Sequence, residues 1–507
     1  MNLLEDAWIP VRADGGNGGF RLLTYRQLLC EPGSWQVSLP RDDLELACLQ
    51  LLVCMTQVMF LPADDATLRK RLDVPLPSED FAAGISPCRD WFDLDHPTQP
   101  FMQSRGVKTA EYTPIQKLLV GLPEGNNHAF FNDAGEVRKL SGPIAAIALF
   151  NQASNAQSIG GGFKGNLRGG SNPYLAPVNT LVAGDNLRET VWRNVLTLPR
   201  VQDRLPGWTP DFGRDQPTWI KPIKEKEVIR WNEIGLFRGL FWQPLLVELV
   251  RSEDLASCDV LGGEEGSFYS GFRKAKFKFS VEGIWTHPHG AMIWNRKKNE
   301  HRFVSFSAAS PAWTLLSEFV VPRDVDGLAA NEGCMPAGPV VQAMEVFPDE
   351  PVHLIVGGYC TRQASVVERR HELMSLAKGW DNDKTRLKQL VDFGTRARQV
   401  LYKSIALSVR GDKKNGIKGI ASPIHDSADK HFYARTESLI HEIFSNALTF
   451  REWKGAKAAF TDQLAGHCRA IFQELTDPYA MKPELIPAIA WARHSLDFDL
   501  AKLKEGT

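Results

Sequence analysis

The chain runs to 507 residues, 43% hydrophobic and 23% charged, enough length and apolar content for a large core and for two or more domains. Its 59 Lys and Arg stand against 60 Asp and Glu, a formal net charge of -1, which excludes a chain that coats nucleic acid by bulk positive charge. Eight cysteines (Cys30, Cys48, Cys54, Cys88, Cys258, Cys334, Cys360 and Cys468) lie scattered without a CxxC pair, the pattern of reduced thiols in a cytoplasm.

The amino terminus, MNLLEDAWIPV, carries acids where a signal peptide carries bases. After Pro40, Asp42 or Asp43 is placed to cap a helix in which Leu44, Ala47, Cys48, Leu51, Leu52, Met55, Val58 and Met59 recur at helical spacing, so one face should be core. This most apolar stretch is interrupted by Gln50, Thr56 and Gln57 and falls short of the roughly 20 mostly apolar residues of a membrane span. It reads as a buried helix, with no membrane.

Short helical patterns, strand-like runs and Gly- or Pro-rich punctuation follow, such as GLPEGNN, RLPGWTPDFGRDQPTW and LGGEEGSF. The mixture predicts an α+β fold with a large irregular mixed domain over residues 1–378. Beyond the polar turn AKGWDNDK, long amphipathic segments at 383–409, 426–448, 449–475 and 483–503 predict a four-helix bundle over 379–507. In the second segment Ala428, Phe432, Leu439, Ile440, Ile443, Phe444 and Ala447 trace an apolar stripe, with Asp426 placed to cap its start.

Several local patterns bear on chemistry. In GFRKAKFKFSVEGIW an extended strand would put Lys274, Lys276 and Lys278 on one face and Ala275, Phe277, Phe279 and Val281 on the other. Lysines about 7 Å apart roughly match phosphate spacing along a nucleic-acid strand. The same row would equally serve as a solvated sheet face guarded against edge pairing. In SIGGGFKGNLRGG, Gly160, Gly161 and Gly162 let the main chain approach a ligand closely, with Lys164 and Arg168 behind them, although a ligand-free loop has the same composition. A phosphate-binding P-loop is excluded, because Gly165 is followed by Asn166 rather than Lys. His287 and His289 form an HPH triplet short of the four ligands a zinc site wants. His425 and Asp426 admit an alternative function, a metal-dependent nuclease or phosphohydrolase; His431 and His441 lie downstream at helical positions.

Taken in order, MNLLEDAWIPV, SLPRDDLELA, QPFMQ, AIALFNQA, GGGFKGNLRGG, VLTLPR, QPTWIKPIK, GLFWQP, GFRKAKF, the HPH triplet, GGYCTRQASVVERRH and ADKHFY strongly resemble the CasA family, the large subunits of type I-E CRISPR surveillance complexes. The resemblance implies a non-catalytic subunit that needs no cofactor and inspects double-stranded DNA for a protospacer-adjacent motif. A lysine finger enters the minor groove in that family, and its place falls on Lys276, with Lys274, Lys278, Lys164 and Arg168 as supporting backbone contacts. The family's glycine loop falls on Ser158, Ile159, Gly160, Gly161 and Gly162, and its strand-separating wedge on Arg362, Gln363 and Ala364. Phe130, in GLPEGNNHAFFNDAGEVRKLSGP, falls at the aromatic position that docks near the guide RNA's 5′ end. The partners implied are the crRNA-containing Cascade complex, with its backbone, small and crRNA-end-binding subunits, and a recruited helicase-nuclease. Two departures stand out. Ser141, Ile144 and the lone Cys258 replace a cysteine cluster that holds a metal in some relatives, so no metal is expected, and Arg362 replaces an amide residue.

Overall fold

The structure is a computed structural model that describes the chain except residues 14–18, 110–111, 123–134, 158–166, 168–175, 254–256, 263–265, 296–299, 309, 324–331, 349, 363–364 and 506–507. It divides into two compact units. The first holds residues 1–308, 322–346 and 354–373, and the second holds 309–321, 347–353 and 374–507. The α+β expectation holds: helices and small sheets intermix in the first unit, and the second is dominated by long helices.

The first unit is built around the helix Asp42–Met59, whose apolar stripe is buried as expected except at Val58, which is half-buried. It is covered on almost every side rather than on one face, since Leu46, Leu49 and Val53 are buried as well. Its interrupting polar residues are used internally. Gln57 donates to the Leu196 carbonyl at 3.0 Å and accepts from the Leu196 N–H at 2.6 Å, and the Thr56 hydroxyl pairs with that of Tyr25 at 2.8 Å. Burial without such partners costs a kcal/mol or more per group, on the order of 1–3 kcal/mol. The expected cap is different. Arg41 precedes the helix without a side-chain cap bond, Asp42 accepts only from the N–H of Asp43, and Asp43 turns inward.

Two sheets of this unit carry the residues of interest. In one, Phe268–Ala275 is flanked by Leu246–Arg251, Thr113–Pro114 and Leu140–Ser141, all antiparallel to it. In the other, the long strands Val352–Arg362 and Ser365–Leu376 are neighbours, and the former also pairs antiparallel with Asn179–Val182. A second buried helix, Gly142–Ser154, packs on Asp42–Met59 and ends just ahead of the glycine-rich segment.

In the second unit four long helices appear at Lys384–Arg410, Ala428–Ser445, Trp453–Ala480 and Ile486–Glu505, the first packing on each of the others. Phe432, Leu439, Ile440, Ile443 and Phe444 are buried as their spacing predicts, while Ala447 falls beyond the helix end. The break comes at Asn446, whose side chain accepts from the Leu448 N–H and opens a short helix, Ala447–Arg451. Asp426 does not cap: it lies in the 3-10 turn Ile424–Ser427, and Ser427 precedes the helix without a side-chain bond.

Candidate nucleic-acid interface

Along the ladder Lys274 stands opposite Val247 and Ala275 opposite Leu246, and there the pairing stops. Pro244, just ahead of the partner strand, has no N–H to extend it. The expected row of three outward lysines is corrected to two. Lys274 is 6% exposed on the covered face beside Phe272, its ammonium 6.0 Å from that ring's centroid, and Arg273 takes the exposed place. A methylene stem tolerates such cover while its ammonium lies against a ring face. Beyond the strand end the alternation resumes, with Lys276 and Lys278 exposed and Phe279 buried. The backbone here is pinned: Phe277 stacks on Phe279 at 5.2 Å, Phe279 meets Trp242 at 6.1 Å, and the Lys278 carbonyl accepts from the Lys226 N–H. Ser280–Glu282 then pairs in parallel with Val228–Arg230.

Arg362 is exposed as the last residue of its strand. Gln363 and Ala364 lie outside the described residues, as do Ser158, Ile159, Gly160, Gly161, Gly162, Lys164, Arg168 and Phe130. Within the glycine-rich stretch Leu167 is described, half-buried against the core of the first unit.

The described flanks of these segments meet at one carboxylate, Asp43, one of the two residues placed by sequence to cap the helix. Asp43, 8% exposed, accepts from Arg41 Nε at 3.0 Å and Nη2 at 2.8 Å, from Arg369 Nη1 at 3.3 Å and from the Tyr359 hydroxyl at 2.9 Å. Arg41 Nη2 also donates to the Val120 carbonyl, just ahead of residues 123–134. Tyr359 and Arg369 sit on the two strands on either side of 363–364. From Tyr359 the network runs inward: Asn151 donates to the Tyr359 hydroxyl at 2.7 Å, Asn155 to Asn151 at 3.1 Å, Asn179 to Asn155 at 2.9 Å and Gln50 to Asn179 at 3.2 Å. Asn155 ends the helix that leads to residue 158. Burial disfavours the Arg41 charge, but the hydrogen bond and charge of Asp43 outweigh it and hold its pKa above the usual arginine value. Burial first, and Asp43 second, push the Tyr359 hydroxyl well above the usual tyrosine pKa, so it stays a donor.

Two glycines make this convergence possible. A Cβ on Gly357 would lie 2.4 Å from Leu46 Cδ2 and 3.0 Å from the Arg370 carbonyl oxygen, so any larger residue here would force Leu46 and the neighbouring strand to give way. Gly121 has φ 86, a left-handed turn directly beside Val366. Beside Gly121 opens a cleft of about 570 Å³ lined by Arg41, Val120, Gly121, Glu136, Val366 and Arg369 among others. A signal for the network was present in the sequence: Asn151 stands inside the apolar run AIALFNQA, where a buried amide demands partners.

The remaining candidates are placed as follows. His287 and His289 are buried with ring centroids 5.1 Å apart, and the His289 N–H donates to His287 Nδ1. His425 lies edge-on to Tyr402 and 3.5 Å from Asp426. Among the described residues no group of three or more His, Cys, Asp or Glu side chains is arranged to hold an ion. The eight cysteines are free thiols, and burial pushes Cys88 and Cys468 up to about 12. Lys413 and Lys414 are exposed on a loop between Gly411–Asp412 and Ile417–Lys418, which pair antiparallel. Among the described residues no helix is long and apolar enough to cross a membrane.

A family model described as CRISPR-associated protein Cse1 matches residues 2–471. The CasA/Cse1 protein of Thermus thermophilus is 25% identical over 266 residues, 50% of this chain and 50% of that one, so the match spans about half the length of that curated relative. In fold the chain is similar to the crystal structure of Thermus thermophilus CasA, with a TM-score of 0.72 at 19% identity over 99% of each chain. It is also similar to a chain solved in a CRISPR RNA-guided surveillance complex, with a TM-score of 0.69 at 16% identity over 98% of this chain and 99% of that one.

Proposed function

Because the chain belongs to the CRISPR-associated Cse1 family, we propose that it is the large subunit of a crRNA-guided DNA surveillance complex, reading a protospacer-adjacent motif in the minor groove and starting strand separation and R-loop formation. The observation that carries this reading is the pair Lys276 and Lys278, exposed just past the end of a strand whose backbone is held by Phe277, Phe279 and the Lys226 contact. A cation presented from a fixed backbone enters a groove at little ordering cost.

Lys276 takes the minor-groove contact, with Gly161 and its neighbours Ser158, Ile159, Gly160 and Gly162 alongside. A minor groove offers the same acceptors for A·T and T·A, so the motif preference is permissive. Lys278, Lys164 and Arg168 contact phosphates; Lys274, being covered, is withdrawn from that set. Arg362, Gln363 and Ala364 form the wedge. Opening one step costs about a few kcal/mol, and guide pairing then replaces duplex pairing nearly evenly, so lowering the nucleation cost is sufficient. Phe130 docks the chain near the guide RNA's 5′ end. Residues 1–378 carry motif recognition, and the bundle of 379–507 places the recruited helicase-nuclease, with Lys413, Lys414 and Lys418 touching the displaced strand. This chain itself has no bond to make or break.

The test is duplex opening by the reconstituted guide-RNA complex on targets with and without a permissive flanking motif. Lys276→Ala is expected to lose about tenfold or more of motif-dependent opening, the scale of one specific groove contact. Opening of both targets at the wild-type rate would remove Lys276 from the interface.

A further inference from the structure

We infer that Asp43 is a positioning residue for strand separation: it ties the base of the guide-docking segment, the two strands of the wedge and the approach to the glycine loop into one rigid framework. The inference rests on the function proposed above and concerns none of the groups assigned there to DNA. Three links meet at one carboxylate, two of them sharing Tyr359. Through Arg41 it reaches the Val120 carbonyl; through Tyr359 and Arg369 it holds a residue on each wedge strand; through Tyr359 and Asn151 it reaches Asn155. Asn151 also approaches Asp43 directly, at 3.5 Å.

The charges confirm a structural role rather than a ligand site. Arg41 and Arg369 face Asp43, and Arg369 lies 3.6 Å from Asp42, so two guanidinium groups are balanced by two carboxylates. What this arrangement does is fix geometry. A bidentate Arg–carboxylate pair and a short chain of buried amides hold direction as well as distance, and a framework held this way does not yield when a duplex resists the wedge. Removing the Asp43 charge takes the bidentate carboxylate from Arg41 and leaves Arg369 only Asp42, so the wedge strands lose their common reference.

The experiment uses the full guide-RNA complex and a 2-aminopurine reporter at the first target pair, comparing Asp43→Asn, Arg369→Gln and Arg369→Lys with the wild type and with Gln363→Ala. Two targets are used, one fully paired and one already unpaired at its first positions. Asp43→Asn and Arg369→Gln are expected to slow opening of the paired target by about tenfold or more, as befits a broken buried ion pair, while binding the unpaired target as the wild type does. Arg369→Lys, which keeps the charge, recovers part of the rate. Arg369 lies at the more exposed end of the network, so Arg369→Gln is expected to give a smaller loss than Asp43→Asn, and its variants report even where Asp43→Asn fails to fold. Equal loss on both targets, or wild-type opening by the Arg369→Gln complex while Gln363→Ala is impaired, overturns the positioning role alone. Wild-type opening by Gln363→Ala overturns the wedge assignment beneath it, and the positioning role with it.

Discussion

Asp95 shows how one side chain can fasten distant parts of the chain. It accepts from the Tyr269 hydroxyl at 2.7 Å and from Arg251 Nε at 3.1 Å. Burial raises its pKa, but these two hydrogen bonds, together with the charge and hydrogen bond of the Met1 ammonium at 3.2 Å, prevail and hold it below the usual carboxylate value. A carboxylate depressed in the folded state contributes stability that is complete above its unfolded pKa of about 4 and is lost as pH falls through the folded value. Urea unfolding should place Asp95→Asn about 1–2 kcal/mol below the wild type at neutral pH, less than a fully buried pair because Arg251 is largely exposed. The gap should close as pH falls below the unfolded value; a gap independent of pH would mean the carboxylate charge contributes nothing. Such partners were not legible in the sequence. Asp43 illustrates why: its neighbours in the chain make it look like a cap, whereas the residues that define its role, Tyr359 and Arg369, arrive from the far side of the unit.

Elements were more readable than residues, because a helix declares its buried face every three or four positions. The stripes in Asp42–Met59 and Ala428–Ser445 came through for that reason. The end of the lysine strand did not, since it depends on Pro244, just ahead of a partner strand that only folding brings alongside. Helix surfaces also carry opposite demands on glycine. A Cβ at Gly394, in Lys384–Arg410, would meet the Trp313 ring at 2.9 Å, whereas one at Gly466, exposed within Trp453–Ala480, meets nothing within 4 Å. Gly394→Val is expected to destabilise the protein by about 1–3 kcal/mol through overpacking. Gly466→Ala should stabilise it by up to about 1 kcal/mol by restricting the unfolded chain. Thermal unfolding of the two variants checks both signs.

At the scale of the whole molecule a net charge of -1 means that the DNA contact proposed above would have to be local, with a salt dependence that counts contacts. Changing Lys413, Lys414 and Lys418 together to Ala should lower the slope of log R-loop yield against log salt by about 0.7 for each lysine that meets a single-strand phosphate. An unchanged slope at unchanged yield would take that loop off the displaced strand. The node at Asp43 has a further consequence for how the molecule is made. Its carboxylate leaves the ribosome 316 residues before the Tyr359 hydroxyl it needs, and 326 before Arg369. Contacts so far apart in sequence close late, after shorter-range structure has formed. A nascent or truncated chain can hold its buried helices and still lack the tie between the strands Val352–Arg362 and Ser365–Leu376, so under the proposed function competence to open a duplex would arrive only with the completed first unit.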